Sequence, residues 1–178
     1  QLSAAASGVG KEVGVIVEVN VGMNRCGTEP GEDTTALARI ITDSPGLRFD
    51  GVMGYEGHTV AVRDQAERTA NAELAMNTLL SAVDNIEAAG MPVNVISASG
   101  TGTYNITGKM DRITALQCGS YIFMDGDYLE VSNDFEPALS VLATVISRQK
   151  QDVAIVDMGL KSISMDRGLA EVISPASA

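Results

Sequence analysis

The sequence predicts an α/β fold: a parallel β-sheet with alternating helices, followed by a β-rich segment. Three observations predict it. Apolar, largely β-branched runs alternate with stretches of helical period up to Gly90, the pattern of βαβ units. Polar and glycine-rich stretches recur just past the C-terminal ends of the expected strands, where folds of this class build their sites. After Asp125 the alternation stops, and strand-like runs follow one another without a helix of clear period.

The elements are expected in this order. Leu2 to Ser7 suits a helix that stops at Gly8. Val13 to Val21 is nearly continuous in valine and isoleucine, which suggests a strand buried on both faces. A loop with Gly22, Gly27, Pro30 and Gly31 leads to a helix over about residues 33–43, with Leu37, Ile40 and Ile41 on one face. Pro45-Gly46 stops it. A second strand runs from Leu47 to Tyr55. The long stretch Val62 to Ala89 carries Val62, Ala66, Thr69, Met76, Leu79, Val83 and Ile86 at helical steps, and ends at Gly90 with Pro92 beyond. Val93 to Ile96 is the third strand. The fourth is expected at about residues 113–117, extending through Tyr121-Ile122-Phe123-Met124. Leu139 to Ile146 and Val153 to Val156 read as strands of a second domain. The expected division is a partial barrel-like α/β domain over 1–133 and the start of a β-domain over 134–178.

Composition narrows the partners. Hydrophobic residues make up 45% of the 178 residues and charged residues 20%, ordinary for a globular chain. A net charge of −11 argues against nucleic acid and against an anionic membrane surface, both of which need a basic face. No apolar run approaches the roughly 20 residues of a membrane helix, and no signal peptide is seen. Cys26 and Cys118 are far apart, and with one histidine they make no zinc set; two free thiols suit a reducing, cytoplasmic setting. Gln1 is not an initiator methionine. The tail Ser174-Pro175-Ala176-Ser177-Ala178 follows soon after a strand-like segment, so a fragment of something longer is expected.

Four strand ends carry the candidate chemistry. After the third strand comes Ser97-Ala98-Ser99-Gly100-Thr101-Gly102-Thr103-Tyr104. Glycine lets backbone approach a ligand closely, and serine and threonine hydroxyls add donors, so a phosphate is one reading. The other is a solvent-exposed connection with no ligand. Arg25, between glycines after the first strand, reads either as a contact to a carboxylate or ring nitrogen or as an ion pair with Glu18 or Glu29. His58, the only histidine, follows Tyr55-Glu56-Gly57 and reads either as a catalytic group titrating near neutrality or as a hydrogen-bonded structural residue. Gln117-Cys118-Gly119-Ser120-Tyr121 closes the fourth strand. Asp125 and Asp127 are more suited to capping a turn before Tyr128 than to paired-carboxylate chemistry.

Together these runs resemble one enzyme family. Val17-Glu18-Val19-Asn20-Val21-Gly22-Met23-Asn24-Arg25-Cys26-Gly27, Gly54-Tyr55-Glu56-Gly57-His58, Ser99-Gly100-Thr101-Gly102-Thr103-Tyr104, Gly119-Ser120-Tyr121-Ile122-Phe123-Met124-Asp125 and Val156-Asp157-Met158-Gly159-Leu160-Lys161 are similar, in order and spacing, to the D-threonine aldolase and D-serine dehydratase group of pyridoxal-phosphate enzymes. That group is related to the alanine racemase barrel. The resemblance implies the C-terminal half of an alanine-racemase-like (β/α)8 TIM barrel, followed by a β-rich domain. It places Ser99, Gly100, Thr101, Gly102 and Thr103 after the seventh barrel strand as the phosphate site. Arg25 and Tyr55 would line the cofactor ring, and His58 would stand near the substrate as the catalytic residue. It implies pyridoxal 5'-phosphate as cofactor and retro-aldol cleavage of D-threonine or dehydration of D-serine-like substrates, with amino-acid racemisation as an alternative.

The resemblance also puts the Schiff-base lysine on a strand before Gln1. The His and Cys ligands of a divalent metal would lie beyond Ala178. A non-catalytic half-barrel that binds at most a phosphate ligand is therefore a further alternative. Open sheet edges would favour a homodimer or other self-association. The small-molecule partner would be a D-amino acid.

Overall fold

The computed structural model describes residues 1–166 and 168–174. Past Ser174, the Pro-Ala-Ser-Ala tail lies outside the described residues. The chain forms two compact units, 1–121 and 122–178, a division that falls before the one expected near Asp134.

In the first unit, helix α1 (Leu2–Gly8) precedes strand β1 (Val13–Glu18). Helix α2 (Glu32–Thr42), strand β2 (Leu47–Gly54), helix α3 (Gln65–Ala88) and strand β3 (Val95–Ala98) follow. A short helix α4 (Tyr104–Thr107) and strand β4 (Ala115–Leu116) complete it. All pairings are parallel, in the order β1-β2-β3-β4. Parallel pairing without crossing sets every strand's C-terminal end on one edge of the sheet, so the four loops singled out in the sequence share one rim.

The core lies between the sheet and helices α2 and α3. Val17, Phe49 and Val52 from the strands, with Val19 just past β1, meet Ala38, Ile41, Met76, Leu79, Val83 and Ile86 from the helices. Helix α3 starts at the Asp64 cap, whose carboxylate accepts the Glu67 N–H at 2.8 Å, and not at Val62. It stops where Gly90 takes φ +84. At Gly51 a Cβ would fall on the Val95 carbonyl, so this position in the middle of the sheet needs glycine for close backbone approach.

Strand β1 is not buried on both faces: Val13 and Ile16 are exposed, because β1 is an edge of this sheet and only its C-terminal half lies under the helices. In α2 the buried face is Thr34, Thr35, Ala38 and Ile41; Leu37 and Ile40 point outward, because the helix rotates its small residues onto the sheet. The fourth strand does not extend to residues 121–124. It ends because the chain turns into a 3-10 segment (Ser120–Ile122), with the Tyr121 N–H donated to Thr101 Oγ1 at 3.0 Å.

In the second unit, helix α5 (Gly126–Leu129) is capped by Asp125, whose carboxylate accepts the Tyr128 N–H at 2.9 Å, the capping role expected of it. Strands β5 (Val145–Lys150) and β6 (Val153–Val156) form an antiparallel hairpin. The expected strand from Leu139 begins only at Val145. Residues 139–144 pair with no strand among the described residues and leave Leu139 and Leu142 exposed. Among the described residues no helix is long and apolar enough to cross a membrane.

Candidate functional site

The loop 99–103 is not a solvent-exposed connection. Ser99, Thr101 and Thr103 are essentially inaccessible, and both glycines are buried with them. The Gly102 α-carbon lies against the Val60 carbonyl, so closely that a side chain has no space. Gly100 packs on Val60 and on the Tyr55 ring: a Cβ there would stand 2.8 Å from Val60 Cγ1 and 3.1 Å from Tyr55 Cε2. Ser99 takes φ +77, a left-handed conformation that non-glycine residues rarely adopt.

Most polar groups of this loop are satisfied within the protein. The Ser99 N–H donates to Glu56 Oε2 at 3.0 Å, the Gly100 N–H to Thr103 Oγ1 at 3.1 Å, and the Thr103 N–H to the Gly100 carbonyl at 3.1 Å. The Thr103 hydroxyl donates to Glu56 Oε1 at 2.7 Å, and Thr101 Oγ1 accepts from Tyr121. Two buried backbone donors remain: the N–H groups of Thr101 and Gly102 find no acceptor among the described residues, and the Thr101 hydroxyl, which accepts from Tyr121, donates to none of them either. Buried N–H groups are seldom left without an acceptor, so adjacent ones mark a place where something else accepts.

The other strand ends converge on this loop. The Arg25 guanidinium lies over the Tyr55 ring, 5.6 Å from its centroid. It makes no ion pair with Glu18 or Glu29. Glu18 instead accepts from the Cys26 thiol at 3.1 Å, and Glu29 from Asn20 at 3.1 Å. Asn20 also holds the loop after β1, its carboxamide oxygen accepting the N–H groups of Gly22 and Asn24. The Arg25 guanidinium is held above its ordinary range, chiefly by its hydrogen bond to Cys26. His58 is exposed, has no hydrogen-bond partner among the described residues, and lies against Gly22, where a Cβ would stand 3.2 Å from the imidazole. Gln117 donates to Ser97 Oγ at 3.0 Å, tying β4 to β3 just below the loop.

Sequence reasoning passed over Glu56 and Thr107. Glu56 is fully buried under the loop, and the Thr107 hydroxyl donates to its Oε1 at 3.0 Å. Thr103 and Thr107 stand four apart, a spacing that puts two hydroxyls on one face of a helical turn; that was the available signal.

Cys118 lies beside the same loop. Burial pushes its thiol up, the Glu56 charge adds to this, and a hydrogen bond with Ser99 partly offsets it. Cys26 is exposed. In the folded chain Cys118 is therefore expected to alkylate more slowly than Cys26, and its rate to climb only at higher pH than in a urea-unfolded control. Peptide mapping after iodoacetamide labelling reads both rates. Equal rates in the folded chain would contradict the packing described.

The family described as "Alanine racemase, N-terminal domain" matches residues 1–127, and "Putative serine dehydratase domain" matches residues 138–177. A 3-hydroxy-D-aspartate aldolase of Paracoccus denitrificans (strain Pd 1222) is 36% identical over 177 residues, which is 94% of this chain and 46% of that protein. The crystal structure of a D-threonine aldolase from Filomicrobium marinum matches with a TM-score of 0.91 at 36% identity, over 94% of this chain and 47% of that one. A D-threo-3-hydroxyaspartate dehydratase from Delftia sp. HT23 matches with a TM-score of 0.80 at 31% identity, over 93% and 45% respectively. A variant of that dehydratase has been determined in a metal-free form. The chain thus spans about half the length of the relatives it matches.

Proposed function

This chain belongs to the alanine racemase N-terminal-domain family, and from that premise we propose that it serves a pyridoxal-phosphate-dependent lyase acting on D-β-hydroxy amino acids. The observation that carries the reading is the buried loop 99–103, whose Thr101 and Gly102 N–H groups find no acceptor among the described residues, beside the Tyr55–Arg25 stack. Two adjacent N–H groups at a glycine-rich turn suit a phosphate oxygen, and they suit it without a lysine. Tyr55 and Arg25 would flank the cofactor ring. When bound, the cofactor supplies an electron sink for negative charge at the substrate Cα.

The chain's own residues supply the rest. Thr101 and Gly102 fix the phosphate end, and the close packing of Gly100 and Gly102 on Val60 keeps that end rigid. His58 is exposed on the same rim, with no hydrogen bond among the described residues to occupy it, and takes the proton from the substrate's β-hydroxyl oxygen. The Cα–Cβ bond then breaks: Cβ leaves as an aldehyde, and Cα keeps the electron pair and takes one proton from solvent, to which His58 gives up the proton it removed. From D-threonine the products are acetaldehyde and glycine. Among the described residues there is no group of three or more His, Cys, Asp or Glu placed to hold a divalent metal.

The likeness to a dehydratase supports a second reading, loss of the β-hydroxyl as water. The test incubates the protein with pyridoxal phosphate, magnesium or manganese, and D-threonine. Acetaldehyde and glycine are expected. Ammonia and 2-oxobutanoate would move the reading to dehydration; no product from D-threonine, together with loss of optical activity in a separate incubation with D-alanine, would replace it with racemisation.

A further inference from the structure

Glu56 is the most unusual ionisable group in the first unit. It is 0% exposed, yet it makes no ion pair among the described residues. Carboxylates are rarely buried without a cation, and burying one carries a cost that needs strong hydrogen bonds to offset it. All three of its donors belong to the phosphate loop or the turn that follows it. The Ser99 N–H, at the loop's first residue, reaches Oε2 at 3.0 Å. The Thr103 hydroxyl, at its last, reaches Oε1 at 2.7 Å, and the Thr107 hydroxyl, one helical turn on, reaches the same oxygen at 3.0 Å. Thr103 Oγ1, oriented by this bond, in turn accepts the Gly100 N–H at 3.1 Å.

We infer that Glu56 is the positioning residue of the phosphate cup. Its carboxylate ties both ends of the loop and takes up the inward donors. Ser99 is thereby held at its strained φ of +77, and only Thr101 and Gly102 keep free N–H groups for an oxyanion. The inference rests on the reading of loop 99–103 as a phosphate site. Glu56 touches neither substrate nor cofactor in this account; it acts through the loop. A carboxylate under an anion site also repels that anion, so the two effects oppose one another, and the inference requires the ordering effect to win.

The test uses the full chain and two ligands, pyridoxal phosphate and pyridoxal, which differ by the phosphate alone. Glu56→Gln keeps the volume but replaces one acceptor oxygen with an N–H2 donor. Its Kd for pyridoxal phosphate is expected to rise by about tenfold or more, with Kd for pyridoxal unchanged. Thr107→Val, which reaches the loop through Glu56, is expected to weaken pyridoxal phosphate in the same direction by less, and Thr107→Ser to restore it. Equal weakening for both ligands would mean general structural damage and would overturn the inference. So would unchanged binding, or tighter binding of the phosphate form by the Gln variant. Amide hydrogen exchange in the ligand-free chain supplies the second readout. Exchange within residues 97–107 is expected to accelerate in Glu56→Gln while β1 and β2 stay unchanged. If the unsubstituted chain binds neither ligand, the cofactor reading fails on its own, and the exchange measurement still decides whether Glu56 orders the loop.

Discussion

Replacing Gly102 with alanine is expected to abolish the ordered loop between β3 and β4. The added Cβ would coincide with the Val60 carbonyl, 2.7 Å from its carbon and 3.0 Å from the Val60 α-carbon. These are backbone atoms, so no side-chain rotation relieves the contact, and the two segments must separate. Overpacking of this kind costs about 1–3 kcal/mol, and more where backbone opposes backbone. The loss falls where the Thr101 and Gly102 N–H groups are held, so pyridoxal phosphate affinity is expected to drop by about tenfold for each 1.4 kcal/mol that the ligand must supply to re-form the cup. Gly119→Ala is the control, because a Cβ there meets nothing within 4 Å. Urea unfolding and pyridoxal phosphate titration of both variants make the comparison. A Gly102→Ala chain as stable and as tight-binding as the Gly119→Ala chain would contradict the close approach.

Leu79→Ala is expected to give the largest loss of stability in the helical layer, about 2–5 kcal/mol, the range for a fully buried leucine that leaves a cavity. Leu79 is 0% exposed and reaches the end of β2, with its two methyls 3.1 and 3.3 Å from where a Cβ on Gly54 would lie. Val21 closes on the same position from the loop after β1. The leucine thus supports Gly54, the residue before Tyr55, and the damage is expected to reach the site as weaker cofactor binding. Leu74→Ala, on the same helix but 68% exposed, should change stability by no more than about 0.5 kcal/mol. Urea midpoints separate the two, and similar midpoints would show that the buried cluster does not carry the fold.

The parallel sheet was legible because its strands are short, apolar and separated by glycine and proline. The rim was legible because parallel pairing brings every strand's C-terminal end together, so Arg25, Tyr55, His58 and the Gly/Thr loop could be grouped before any contact was known. What was not legible depends on rotation and on long-range partners. Leu37 and Ile40 look like a buried face until Thr34 and Ala38 are seen to suit the close approach of α2 better. The fourth strand looks longer than it is, because the bond that ends it comes from Thr101, twenty residues back. Glu56 was hidden for the same reason. A glutamate next to a histidine reads as a solvated neighbour, and only folding brings it beneath Ser99, Thr103 and Thr107, more than forty residues away. The Ser99 and Thr103 hydroxyls, read in the sequence as extra donors, instead donate within the protein, which leaves the Thr101 and Gly102 N–H groups and the Thr101 hydroxyl as the loop's free donors among the described residues.

The central claim is that the Thr101 and Gly102 N–H groups form a phosphate site. The most direct measurement is a 15N–1H correlation spectrum of the labelled chain titrated with pyridoxal phosphate and, separately, with pyridoxal. The account predicts that the Thr101 and Gly102 amide resonances shift furthest with pyridoxal phosphate and stay in place with pyridoxal. Shifts centred elsewhere, or the same shifts with both ligands, would contradict it.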